Sequence, residues 1–237
     1  TSLMASFLHR CGITMGRSLV KPGLGNRFGH YEDQLFLRLH KEILLRNRHH
    51  MYQPTGCLGF TEDDARKARS LITERRQDGR PWGWKEPRTA LFLKLWSRID
   101  PALRYIFLYR NPYAVIDSLF RRRGDCILYA RPWWAGGAWL RYNNEILQFA
   151  HCNRDRVICI SIDGFNKSHE SSISKLEKWI SLPLTVPYSD VFSPGEIGTN
   201  QNLHKRWYIG INRRVYGDQL DSVYARLEEV ALISSNE

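Results

Sequence analysis

An arginine at the end of a buried strand, followed at once by a helix start, makes a place for an anion. Arg104 to Tyr109 (R-Y-I-F-L-Y) is almost wholly apolar or β-favouring, the pattern of a strand buried on both faces, and Arg110 ends it. Asn111-Pro112 then offers an N-cap and a proline at the first helical position, so the next helix turns its leading N–H groups towards the same spot. Bidentate hydrogen bonding from the guanidinium and the helix dipole would act together on one anion. Eight positions on, Ser118 falls on the helix face of Ala114 and Val115, which turns its hydroxyl inward. The same residue types also serve plainer ends, an arginine closing a sheet edge and a helix serine bonded to its own backbone. A second pair of hydroxyls, Thr1 and Ser2, heads an amphipathic helix carrying Leu3, Phe7 and Leu8. Such a helix start can cradle a phosphate or simply be capped.

The elements that must position these groups alternate along the chain. Ser2 to Cys11 reads as a helix stopped by Gly12, and Arg17 to His30, with Pro22, Gly23, Gly25 and Gly29, as a loop of turn formers. Leu35, Phe36, Leu39 and Ile43 share one face of a helix over Tyr31 to Arg48. Thr61 and the acids Glu62, Asp63 and Asp64 start another, ending near Gln77. Trp82 to Lys85 reads as a short strand stopped by Pro87, Thr89 to Arg98 as a helix, and Pro112 to about Arg122 as the helix after Arg110. Trp139, Tyr142, Ile146 and Phe149 mark a further helix, and Arg156 to Ile162 a second buried strand. Helices over Ser171 to Ile180 and Gln219 to Leu232 enclose a loop-rich stretch, Leu182 to Asn202. Strand–helix alternation of this kind predicts an α/β fold, a parallel sheet with helices on both faces, whose ligands sit beyond the C-terminal strand ends.

Composition narrows the chemistry. The chain has 237 residues, 43% hydrophobic and 25% charged, which suits one large globular domain or two small ones. A net charge of +11 favours anionic partners such as nucleotides, sulfated or phosphorylated ligands and nucleic acids. No apolar run reaches the ~20 residues of a membrane span. The five cysteines form no C-x-x-C pair and the eight histidines no H-x-x-x-H pair, so reduced thiols in a cytoplasmic setting, and no metal site, are expected. Without a G-x-x-x-x-G-K-[ST] loop a nucleotide kinase is a distant alternative. A basic nucleic-acid-binding protein is the other, although no zinc-finger spacing, RNA-binding aromatic strand or concentrated basic arm supports it.

Three segments, taken in order, carry a resemblance. The opening T-S-L-M-A-S-F-L-H-R-C-G resembles the 5′-phosphosulfate loop and helix of sulfotransferases, a loop that normally reads R-S-G-T-[ST]; the stretch Y-I-F-L-Y-R-N-P-Y-A-V-I-D-S resembles their 3′-phosphate motif, with Arg110 and Ser118 at its spacing. Between them, Gly83-Trp84-Lys85-Glu86-Pro87-Arg88 resembles the K-[DE]-P-R segment of bacterial and tyrosylprotein-type members. The likeness covers roughly two thirds of the chain, Thr1 to about Asp163. It implies a P-loop-like sulfotransferase fold in a single domain over 1–237, truncated at the N-terminus within the 5′-phosphosulfate loop, so that the first strand and a basic residue before Thr1 are missing. It further implies 3′-phosphoadenosine 5′-phosphosulfate (PAPS) as donor, its 3′,5′-bisphosphate (PAP) as product, no metal, and a hydroxyl acceptor such as a saccharide, phenol, lipid-linked group or protein tyrosine.

By the same resemblance Thr1 and Ser2 hold the 5′-phosphate, and Arg110 and Ser118 the 3′-phosphate. Lys85 stabilises the bridging or leaving oxygen, and Glu32 stands in the region of the catalytic glutamate, with His30 as its rival. Glu32 and Asp33 also suit a plain first-turn pair on a helix. Arg121-Arg122-Arg123 reads as a cationic helix end, Trp133, Trp134 and Trp139 as core, and His204-Lys205-Arg206 as a solvated charge run.

Overall fold

The computed structural model describes residues 1–21, 29–53, 55–121, 126–192 and 203–235. The chain starts with α1 (Ser2–Arg10), α2 (Gln34–Arg46) and α3 (Glu62–Arg76), and a 3-10 turn over Pro87–Phe92 leads into α4 (Leu93–Ile99). Strand β1 (Tyr105–Tyr109) is followed by α5 (Pro112–Arg121), α6 (Cys126–Ala130) and α7 (Trp134–Cys152). Strand β2 (Val157–Ser161) leads to α8 (Ile162–Lys167), α9 (His169–Ile180) and the long α10 (Trp207–Val230). The protein is mostly helical, with a two-stranded parallel sheet in register from Tyr105↔Val157 to Tyr109↔Ser161.

The parallel pairing is as expected and β2 is buried throughout, but Ile106 and Leu108 of β1 are only half-buried, so β1 is not closed on both faces. The sheet among the described residues is also narrower than strand–helix alternation predicts. Trp82 to Lys85, expected as a strand, makes a single parallel bridge from Trp82 to Thr14. Pro81 and Pro87 bracket the segment and remove donors that a longer ladder would need. Its Trp84 ring stacks on Phe36 at 4.4 Å and also meets Trp96 at 4.9 Å. The helix expected from Tyr31 begins at Gln34, and the one expected from Gln219 begins at Trp207. The short helices α6 and α8 were not anticipated by periodicity, which needs more than one turn to register. Pro22, Gly23 and Gly25 of the expected loop, Arg122 and Arg123, and positions 193–202 lie outside the described residues.

Cα packing divides the chain into two compact units: Thr1–His49 with Leu58–Leu103 and Ile173–Glu196, and His50–Cys57 with Arg104–Ser172 and Ile197–Glu237. In the first, Phe7, Phe36, Ile43, Phe92, Leu95 and Trp96 form a core closed to solvent. A buried ion pair is set into it. Asp33 caps α2 by accepting from Leu35 N at 2.9 Å, and its other oxygen pairs with the Arg75 guanidinium of α3. Gly16 presses on this carboxylate: a Cβ there would stand 2.5 Å from Asp33 Oδ2, and φ is +144°, so only glycine fits. α3 itself starts with a capping box between Thr61 and Asp64, and Arg46 of α2 clasps Asp64 at 2.8 Å.

In the second unit α7 and α10 pack together through Asn212. Its amide accepts from Gly136 N at 2.8 Å and donates to the carbonyls of Pro132 and Tyr208. A Cβ on Gly136 would come within 2.5 Å of the Asn212 oxygen, which is why a glycine stands inside a helix. Asp117 of α5 accepts from the Tyr208 hydroxyl at 2.7 Å, which ties α5 to the start of α10.

Arg75→Met would strand the Asp33 carboxylate in a dry interior. Urea denaturation should show a loss of about 3 kcal/mol or more. Arg66→Met, which removes an exposed ion pair with Asp63, should leave the midpoint unchanged.

Candidate functional site

Lys85 gathers three residues from distant parts of the first unit. Its ammonium donates to Glu32 Oε1 at 2.7 Å, to the His30 carbonyl at 3.1 Å and to Ser2 Oγ at 3.3 Å. The Lys85 and Glu32 side chains are 11% and 13% exposed, which shields the pair yet leaves it open to a ligand. Four residues singled out from the sequence (Ser2, His30, Glu32 and Lys85) therefore share one place.

Local structure explains how each arrives. Residues 18–20 run antiparallel to 32–34: Val20 N donates to the Glu32 carbonyl at 2.8 Å and Gln34 N to the Ser18 carbonyl at 2.9 Å. Tyr31 has φ +51°, a left-handed conformation that non-glycine residues rarely take, and it turns the chain between the two groups that Lys85 binds. Asp33 takes the helix cap, and Glu32 stays outside the helix, so the two acids are not a plain first-turn pair. His30 contributes its carbonyl, and its imidazole makes no hydrogen bond to a described residue. Ser2 opens α1. The N-cap residue, Thr1, makes no capping hydrogen bond through its side chain, and the first turn holds no acid, so the positive end of that helix faces no carboxylate of its own.

The residue that follows Lys85, Glu86, has a wholly buried side chain. His40 Nδ1 donates to Glu86 Oε2 at 2.5 Å, and Arg88 Nη1 to Glu86 Oε1 at 2.5 Å. Burial by itself would raise the Glu86 carboxyl, but the bond from His40 and the charge of Arg88 outweigh it, and Glu86 lies below the ordinary glutamate range. Sequence reading took Glu86 only as part of a motif and missed His40. The available signal was a histidine in the apolar stripe Phe36, Leu39, Ile43 of one helix.

In the second unit the level ends of β1 and β2 bring two further groups together. Arg110 Nε donates to Asp163 Oδ1 at 3.1 Å, with the side chains 20% and 27% exposed. The terminal nitrogens of Arg110 make no hydrogen bond to a described residue, so the guanidinium fork is available. Asn111 caps α5 as expected, its Oδ1 accepting from Tyr113 N at 3.0 Å and Ala114 N at 3.3 Å. That cap occupies part of the helix end expected to face an anion. Ser118 is half-buried on α5 and has no hydrogen bond to Arg110. Asp163 was not foreseen as a site residue; an acid just after the strand that parallels β1 was its only mark.

The remaining expectations fall out mostly as core or surface. Trp139 is buried, Trp134 is half-buried with the Arg131 guanidinium 4.6 Å above its ring, and Trp133 is 40% exposed rather than core. Arg121 pairs with Asp117 at 2.7 Å, and Arg206 lies 3.9 Å from the same carboxylate, so Arg206 is drawn to an acid and is not wholly a solvated charge. Among the described residues no group of three or more His, Cys, Asp or Glu side chains could hold a metal ion, and no helix is long and apolar enough to cross a membrane.

The lowered Glu86 group sets a pH dependence. Unfolded glutamate titrates at about 4.3. Stability from Glu86 is therefore fully present above that value and is lost as pH falls through the lower folded one. In urea melts from neutral pH downwards, Glu86→Gln should be less stable than wild type at neutrality, and the gap should close below about pH 4.

No protein-family model, no curated protein and no solved structure matches this chain.

Proposed function

We propose that this protein is a PAPS-dependent sulfotransferase of bacterial type, acting on a hydroxyl acceptor, with the P-loop-like fold that this activity implies. The observation that carries the reading is the meeting of Lys85 with Glu32 and Ser2, which the resemblance gives as cation, candidate base and phosphate anchor. The chemistry of the donor set fits an anionic donor. It offers an ammonium, a hydroxyl and the start of a helix whose first turn holds no acid, and, in the second unit, a guanidinium fork. When bound, such a donor supplies a sulfuryl group that the acceptor oxygen displaces in line from a phosphate oxygen.

Ser2, with Thr1 and the leading N–H groups of α1, holds the 5′-phosphate. Glu32 takes the proton of the acceptor hydroxyl; Lys85 binds the Glu32 carboxylate but only the backbone carbonyl of His30, which favours Glu32 as base. Lys85 neutralises charge on the oxygen that is left behind. All three of its protons are engaged, so it must exchange one bond to do this, and the 3.3 Å contact to Ser2 is the longest. Arg110 reads the 3′-phosphate with its terminal nitrogens while Asp163 holds Nε, and Ser118 is assigned to the same phosphate on motif spacing alone.

Calorimetric titration with adenosine 3′,5′-bisphosphate against ADP tests the donor site. A preference of about tenfold, ~1.4 kcal/mol, is expected for the bisphosphate, and Arg110→Ala should abolish it without changing the unfolding midpoint. No preference in the folded wild type overturns the reading and directs attention to nucleic acid as the anionic partner. Glu32→Gln should lower turnover about 100-fold while donor affinity changes by less than about threefold.

A further inference from the structure

Glu32 and Lys85 each have a buried acid as their next neighbour in the chain, and both acids are tied to one helix. Asp33 caps the N-terminus of α2, and His40, two turns along the same helix, holds Glu86. α2 therefore spans the chain positions beside both residues.

The bonding around His40 allows one arrangement. An indole N–H can only donate, and Trp96 Nε1 donates to His40 Nε2 at 2.9 Å. Nε2 is thus an acceptor, the imidazole is neutral, and its proton is on Nδ1, directed at Glu86 Oε2 at 2.5 Å. Phe92 lies face to face with the imidazole, ring centroids 4.2 Å apart and planes 4° from parallel, so the ring cannot turn without displacing a buried aromatic. With Arg88 on its other oxygen, Glu86 is gripped at both ends. An apolar side chain would fill the His40 site without burying polar nitrogens. What the histidine adds is direction: it fixes the residue that follows Lys85 relative to the helix that follows Glu32.

We propose that His40 is a positioning residue, which through Glu86 sets the Lys85 ammonium against Glu32 and Ser2, in a tautomer dictated by Trp96. Its meaning for catalysis rests on the reading of Lys85 and Glu32 given above; the placing of Lys85 can be measured independently of that reading.

Three variants separate positioning from packing. His40→Leu keeps bulk and removes both nitrogens, His40→Asn keeps a side-chain N–H near the Nδ1 position, and Trp96→Phe removes the indole donor together with part of a buried ring that also packs on Trp84. The readout is the rate at which acetic anhydride acetylates Lys85, measured by mass spectrometry relative to the exposed Lys41 of α2 in the same molecule. Lys85 should react about tenfold faster in His40→Leu, about threefold faster in Trp96→Phe and within about twofold of wild type in His40→Asn. Turnover with PAPS should fall in the same order in kcat, with KM for the donor within about twofold. Equal Lys85 acetylation in the folded variants, with only the unfolding midpoint moved, overturns the proposal and leaves His40 a packing residue. Should His40→Leu not fold, the ratio in His40→Met, which also lacks both ring nitrogens, decides in its place: faster supports positioning, unchanged overturns it. A wild-type protein that transfers no sulfuryl group from PAPS overturns the functional reading instead, and the acetylation ratios still decide the role of His40.

Discussion

The pairing of Asp33 with Arg75 is the constraint from which the first unit is organised. A carboxylate buried without a partner would be driven to take up a proton; paired, it can cap α2, anchor α3 and sit against Gly16 at once. The residue before it inherits that fixity. Glu32 is held by the 18–20 segment on one side and by the α2 cap on the other, directly after the left-handed Tyr31. A strained backbone position beside a lysine–glutamate pair is the kind of feature that packing alone does not call for.

Both charged clusters follow one electrostatic scheme. The chain carries an excess of eleven positive charges, yet the cations that matter here are not loose: Lys85 is matched by Glu32 and Arg110 by Asp163. Each acid holds its cation in place; the terminal nitrogens of Arg110 make no hydrogen bond to a described residue, whereas the Lys85 ammonium is fully bonded, its 3.3 Å contact to Ser2 Oγ being longer than those to Glu32 and His30. Preorganisation of this sort lowers the cost of ordering a long side chain at the moment of binding. The net charge of the surface is a separate matter and steers anions in general.

Much of the local structure was legible. The Thr61 cap, the Asn111 cap, the two strands and the helix after Pro112 follow from short-range rules: a side-chain oxygen near unbonded N–H groups, a fixed proline φ, a run of β-favouring residues. The gathering of Ser2, Glu32 and Lys85 was foreshadowed only through a family likeness, because no property of a serine, a glutamate and a lysine so far apart in sequence says that they touch. The failures have equally plain causes. Trp82 to Lys85 looked like a strand by composition, but β-propensity describes a fit to a sheet surface, and its aromatics found a helix face instead. Helix α10 starts well before its clearest apolar stripe, at residues whose burial depends on α5 and α7.

What the sequence determined by itself is therefore local: the capped helix starts after Thr61 and Asn111, the two strands, and an excess of positive charge. The tertiary structure alone decided which acid meets which cation. Asp33 rather than Glu32 became the cap, Asp163 became the partner of Arg110, and His40 became neutral and bonded to Glu86. Those outcomes depend on charges and donors brought together across long stretches of chain in a medium where an unpaired group is costly. Only the packed molecule sets which groups lose their water and which find each other when they do.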